Sequence, residues 1–254
     1  MLSLYDANGL VHWNEREIRL RDSAISYISA EVTVLLRSIN PAWDIRRVEA
    51  PILTPRELIS SAYGPDDIYV PQRSSDTERE LVLRPETTPS TYVYMTHQLN
   101  THAKTRLPFC VWQAGKSFRR EQDQSTRHVR LKEFWQMEFQ CAYAADTAND
   151  YHTAVLEPVR RMIAAVTRLP TRIVPSDRLP AYSEITMDIE VDNGDKWMEV
   201  TSISRRTDFP QKAVVTGKNG TREIDVLVVE IAIGLDRCIY NWSIADEREA
   251  ALTA

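Results

Sequence analysis

The residues best suited to chemistry fall in two stretches. One is "FRREQDQSTRHVRLKEFWQMEF", residues 118–139, where Arg119, Arg120, Arg127 and Arg130 crowd a short connection together with Glu121 and Asp123. Guanidinium forks on both limbs of a hairpin can converge on one anion, each offering paired N–H donors. Ion pairs with Glu121, Asp123 and Glu133 are the competing account. The other stretch is "VLVVEIAIGLDR", an almost wholly apolar run with one acid, Glu230, in its middle. A carboxylate buried alone costs on the order of several kcal/mol, so Glu230 must meet a cation, whether an arginine, a metal ion or a ligand ammonium. Arg237 follows in the first turn of the next helix, where the macrodipole disfavours a positive side chain. An anion held between that helix end and the guanidinium accounts for the placement.

These residues need a sheet to hold them. From Val129 onward the odd positions Val129, Leu131, Glu133, Trp135, Met137, Phe139, Cys141 and Tyr143 alternate with Arg130, Lys132, Phe134, Gln136, Glu138 and Gln140, which predicts a long strand with one apolar and one polar face. Phe134 on the polar face suits stacking against a flat base, with a lone exposed aromatic as the plainer alternative. Glu133 on the apolar face is expected to pair with a buried arginine such as Arg84. Apolar spacings of three and four predict helices over 13–39, 88–99 and 145–169, and a final helix from about 235. Strands are expected at "WDIRRVEAPIL", "ELVL", "LPFCVWQAGKSFRRE", and about 171–175, 184–191, 196–204 and 222–233. Strands joined by short links and flanked by helices give an α+β domain on a mostly antiparallel sheet, one unit over 1–254.

Composition narrows the class. Apolar residues at 43% and charged residues at 26% match an ordinary globular protein rather than a disordered or fibrous one. Cys110, Cys141 and Cys238 form no CxxC pair and have no histidines at ligand spacing, so neither a disulfide framework nor a zinc site is supported, and a cytoplasmic setting is expected. No apolar run approaches the ~18 residues of a membrane span. A net charge of -5 argues against nucleic-acid binding over the whole surface but allows a local basic groove.

The motifs resemble those of class II aminoacyl-tRNA synthetases. "FRREQDQSTRHVRLKEF" is similar to motif 2, "IAIGLDR" to motif 3 and "VEAPIL" with Pro51 to motif 1, in the family's order. "LRPETT", "LPFCVWQAGKSFRRE" and "MEVTSISRRTDF" resemble the archaeal and eukaryotic type of glycyl-tRNA synthetase over about residues 13–245. The resemblance implies adenylation of an amino acid with ATP and Mg2+, followed by transfer to tRNA. It makes Arg119, Glu121 and Arg237 the catalytic set. Arg119 would hold the α-phosphate and the amino-acid carboxylate, Glu121 would reach the adenine, and Phe134 would stack on it. Arg237 would hold the γ-phosphate, with Arg127 or Arg130 assisting the tail and His128 as a further contact. Glu86 and Glu230 would face the ammonium, Glu199 and Glu230 would ligate Mg2+, and Arg206 would line the amino-acid pocket. A homodimer through the motif 1 region around Pro51 is also implied.

The chain departs from that pattern in three places, one of them Thr88, Pro89 and Ser90 after "LRPET", where the family continues with small polar residues. Ala232 stands where the glycine enzymes carry a serine, which removes a polar contact to the amino acid. The sequence ends about 17 residues after Arg237, where the family begins an anticodon-binding domain, so none is expected and any tRNA would be read through its acceptor stem. Two alternatives stand beside glycine or another small amino acid charged to tRNA. One is a ligase charging a protein or small-molecule acceptor; the other is a non-catalytic nucleic-acid-binding accessory.

Overall fold

The computed structural model describes residues 4–5, 9–71, 80–101, 106–120, 129–177, 179–217 and 220–253. Its first long element, helix α1 (Glu15–Ile39), starts at Asn14, whose side chain accepts from the Glu17 N–H while Glu17 accepts from the Asn14 N–H. This reciprocal cap satisfies two of the helix's unpaired donors. Ala24, Ile28, Val32 and Leu36, four apart, form its buried stripe.

The sequence then supplies strands β3 (Asp44–Arg47), β6 (Phe109–Phe118), β7 (Glu133–Ala144), β8 (Thr171–Pro175), β9 (Ser183–Asp192), β10 (Trp197–Arg206) and β13 (Val226–Gly234). They form one seven-stranded sheet in the order β3-β6-β7-β13-β10-β9-β8. All neighbours are antiparallel except the edge pair β3 and β6. Short pairs lie outside it: β1 (Leu4–Tyr5) with β2 (Val11–His12), β4 (Leu53–Pro55) with β5 (Leu81–Leu83), and β11 (Ala213–Gly217) with β12 (Gly220–Ile224). The last pair divides the run expected as a single strand over 222–233.

Helices α3 (Tyr151–Thr167) and α4 (Leu235–Thr253) join α1 on one face of the sheet. The odd residues Met137, Phe139, Cys141 and Tyr143 of β7 point into that core beside Ile203, Ile231 and Ile233. Each fully buried aliphatic side chain contributes about 1.5–3 kcal/mol, which fixes the register, since a slip of one residue would exchange the faces. The opposite face meets α2 (Thr88–Thr101) and a smaller core that includes Tyr92, Met95, Phe109 and Val228. Among the described residues no helix is long and apolar enough to cross a membrane.

Two expectations fail at the start of β7. The strand begins at Glu133, not Val129; Val129 has a φ of 49° and packs with Leu131 into a separate cluster around Met198. Glu133 pairs with Lys116 across the β6–β7 hairpin rather than with Arg84. Arg84 is already engaged by other oxygen acceptors. Its Nε donates to the Lys116 carbonyl (2.9 Å) and its Nη1 to Ala50 O (3.1 Å) and Gln113 Oε1 (3.0 Å). The guanidinium crowds Gly115, where a β-carbon would come within 2.4 Å of Nη2. Glycine is required there for a close approach, not for an unusual φ.

Candidate active site

Directly opposed residues of an antiparallel pair share a face, so the ladder itself lays out the site. One row across the sheet runs Gln113, Glu138, Ala232, Ser202, Asp188; the next runs Val111, Gln140, Glu230, Ser204, Thr186. This is the face away from the three-helix core, and most of it is buried. The even residues of β7 are therefore not a solvated polar stripe. Ala232 and Gly234 are its small, half-buried members.

Glu230 meets the cation that its apolar strand demands. Arg206 Nη1 donates to Glu230 Oε1 at 2.8 Å, and Gln140 Nε2 and Thr88 Oγ1 lie at 2.8 Å from the same oxygen. Arg206, only 1% exposed, also grips Asp208 through Nε (3.0 Å) and Nη2 (2.8 Å), and its guanidinium stacks 3.8 Å from the Tyr182 ring centre. Glu138 lies one row away and receives Thr87, Thr88 and Gln136. Burial, reinforced by Glu230 and Glu86, pushes its carboxyl up to about 7. Glu86, 5% exposed and two residues before α2, is raised by burial in spite of Arg206. Three buried acids thus share one enclosed guanidinium that is also committed to Asp208. Two acceptors, Glu86 Oε1 and Gln140 Oε1, have no hydrogen-bond partner among the described residues. A primary ammonium, with one charge and three N–H donors, complements this excess of acceptors.

Arg119 stands at the rim. Its Nε donates to Pro85 O (3.1 Å), its Nη2 donates to the Tyr63 hydroxyl (3.0 Å), and its guanidinium lies 5.1 Å from the Phe134 ring centre. Phe134 is half-buried against Val129, Leu131 and Met198, so one edge remains available. Arg237 Nη1 donates to Glu199 O (2.7 Å) and lies 3.6 Å from the Glu199 carboxylate. Arg130 is exposed on the approach to β7, and its charge, with that of Arg237, bears on Lys196. Glu121, Arg127 and His128 lie outside the described residues.

The structure gathers Glu86, Arg206 and Glu230 in one pocket, with Arg119 and Phe134 at its mouth. It does not bring Glu199 and Glu230 together. Glu230 opposes Ser204 while Glu199 lies at the far end of β10, roughly 15 Å away by strand rise, and the near oxygen of Glu230 is taken. The oxygens beside Glu199 are those of Ser202 (3.4 Å) and, through Ser202, Asp188 (2.6 Å). These are hard oxygen donors of the kind magnesium takes, but among the described residues no group of three or more His, Cys, Asp or Glu side chains is placed to hold a metal ion. Sequence reasoning gave no role to Glu138 or Tyr63 and marked Thr88 only as a departure from the family's pattern. The alternation in β7 placed Glu138 on the polar face, but nothing local distinguished a buried polar face from a wet one.

A mostly antiparallel sheet flanked by helices, three on one face and α2 on the other, matches the class II synthetase fold. The chain belongs to the family described as tRNA synthetase class II core domain (G, H, P, S and T), whose sequence model matches residues 70–242. It is 27% identical over 175 residues to the glycine–tRNA ligase of Mycoplasmopsis synoviae and 33% identical over 185 residues to that of Mycolicibacterium vanbaalenii, covering 64% and 66% of this chain. In each case the match spans 39% of the relative's length. Among solved structures, prolyl-tRNA synthetase from Cryptosporidium parvum, complexed with halofuginone and AMPPNP, superposes with a TM-score of 0.74 at 15% identity. The superposition covers 95% of this chain and 48% of that one, and it shows the fold.

Proposed function

We propose that the chain activates an amino acid with ATP, forming an aminoacyl adenylate, and passes the aminoacyl group to tRNA, with glycine or another small amino acid as substrate. The observation that carries this reading is the pocket of three buried acids around Arg206, with unpaired acceptors inside and Arg119 at its mouth beside Phe134. Glu86 and Glu138 take the ammonium, Glu230 holds Arg206 as the pocket wall, and Arg119 draws the substrate carboxylate toward the α-phosphate. Phe134 offers the base a platform, and Arg237 and Arg130 take the phosphate tail. The carboxylate then attacks the α-phosphorus in line and pyrophosphate leaves, so the residues supply position and charge neutralisation rather than a general base. Glu199, with Ser202 and Asp188 behind it, would hold magnesium, which adds positive charge at the phosphates when bound.

Ala232 lies between Glu138 and Ser202 in the floor and offers no hydroxyl. The small-substrate reading therefore rests on space and on the ammonium subsite, not on a contact from that position. The exposed apolar side chains Ile52, Leu53, Leu58, Val70 and Leu81 surround β4 and β5 near Pro51, which supports a homodimer through that face. A cytoplasmic setting suits the three buried free thiols.

Amino-acid-dependent exchange between ATP and pyrophosphate, run with all twenty amino acids, tests the proposal. Exchange with glycine or another small amino acid is expected, and Arg119→Ala should abolish it. Exchange with none of the twenty sinks the reading. Transfer to bulk tRNA then distinguishes a tRNA acceptor from a protein or small-molecule acceptor.

A further inference from the structure

We propose that Tyr63 is a positioning residue that ties Glu86 to Arg119 and so sets the spacing between the ammonium and carboxylate ends of the amino-acid site. This rests on the activation reading above. The Tyr63 hydroxyl donates to Glu86 Oε2 at 2.9 Å and accepts from Arg119 Nη2 at 3.0 Å. A phenol has one proton and free lone pairs, so both bonds form together only in that sense. Burial holds the phenol well above its ordinary value, which keeps it a donor.

The link closes a ring of contacts. Arg119 Nε donates to the carbonyl of Pro85, the residue before Glu86, so the guanidinium is held at two points and cannot swing away from the carboxylate. Glu86 Oε1, the oxygen Tyr63 does not touch, has no partner among the described residues and is left for the ligand. Tyr63 is itself anchored. Its N–H donates to Ser60 O (3.1 Å), its carbonyl accepts from Arg56 Nη2 (3.3 Å), and its ring packs against the cluster of Ile59, Ile68 and Val82. The Arg120 N–H donates to Asp67 O (3.0 Å), joining this segment to the end of β6 that carries Arg119.

Removing the hydroxyl has a directional consequence. The charged and titratable groups that face Glu86 are Arg206 from β10, Glu230 from β13, Glu138 from β7, Arg119 beyond β6, and Tyr63 and Tyr182. Burial and Glu230 favour the neutral acid, while the arginines and the Tyr63 bond favour the carboxylate. Loss of that bond therefore moves Glu86 further toward its neutral form, which cannot counter an ammonium.

The test is Tyr63→Phe in the full chain, measured by ATP–pyrophosphate exchange with the amino acid that wild type uses, from pH 6.5 to 9. The amino-acid KM should rise about tenfold at pH 7 with kcat and the ATP KM changed less than about threefold, since a charge-assisted contact is lost in the ground state as well as the transition state. The rise should shrink as pH increases. In a Glu86→Gln background, Tyr63→Phe should add less than about twofold, because both changes act on one contact. An amino-acid KM within about twofold of wild type, or a rise independent of pH, overturns the proposal. If Tyr63→Phe melts early, the same kinetics are measured well below its melting midpoint, under the same criteria. Wild-type inactivity with every amino acid would instead overturn the activation reading, and the role of Tyr63 with it.

Discussion

Gly115→Ala is the sharpest test of how the site is braced. The new β-carbon would sit 2.4 Å from Arg84 Nη2 and 3.7 Å from Cζ. Arg84 is 2% exposed, so its head group cannot escape to water as a surface arginine would. To restore an ordinary contact the guanidinium must retreat by about 1 Å, which breaks some of its bonds to Lys116 O, Ala50 O and Gln113 Oε1 at 2.9, 3.1 and 3.0 Å. A hydrogen bond to a charged group contributes about 1.5–3 kcal/mol, and losing two gives an expected destabilisation of about 3–6 kcal/mol. That is a large fraction of the ~5–15 kcal/mol available to a folded domain, and urea denaturation with linear extrapolation will detect it. The partner experiment is Gly115→Ala in an Arg84→Met background, where the added methyl should cost less than ~1 kcal/mol because its obstacle is gone. A loss below ~1 kcal/mol for Gly115→Ala alone would refute the argument that Arg84 is pinned.

Other consequences concern charge. Glu138 and Asp236 are both held near 7 by burial, above their unfolded values of about 4, so between those limits the folded chain binds more protons than the unfolded chain. Stability of the ligand-free protein should therefore fall as pH rises from about 4 to 7 and then level off. Glu138→Gln should flatten part of that slope, as followed by thermal melting across the range; a slope identical to wild type would contradict the assignment. Arg237→Ala should leave the melting temperature nearly unchanged, since that side chain is partly exposed, yet lower pyrophosphate exchange by about 10²–10³-fold through loss of charge on the phosphate tail. An unaltered exchange rate would remove Arg237 from the site.

The readable parts of this molecule were those governed by periodicity. The four-residue spacing of Ala24, Ile28, Val32 and Leu36 and the alternation of Met137, Phe139, Cys141 and Tyr143 appear as a helix stripe and a strand face because burial on one side imposes those periods. Glu230 was legible for a related reason, as an acid in an apolar strand needs a cation, and Arg206 supplies it. Contacts set by tertiary placement were not legible. Glu133 found Lys116 across its own hairpin because Arg84 was committed to carbonyls brought from residues 50 and 116. Glu199 and Glu230 read as one pair of acids, but the pairing of β10 with β13 sets them at opposite ends of the site. Tyr63 carries no local signal at all, because its role comes from a loop folded over the end of another strand.

The position of β13 bears on how the chain folds. It is the last strand of the seven to be synthesised, yet it lies at the centre, between β7 and β10. Until residue 234 has emerged from the ribosome, β7 and β10 each present an open edge, and the sheet exists only as two halves. Nascent chains halted before Val226 should accordingly be sticky, protease-sensitive and dependent on chaperones, because unpaired strand edges invite pairing with other chains. Insertion of β13 also brings in Glu230 and Arg237, so completion of the fold and assembly of the pocket are one event. A truncated chain would then have neither, and partially folded forms should show no residual ligand binding.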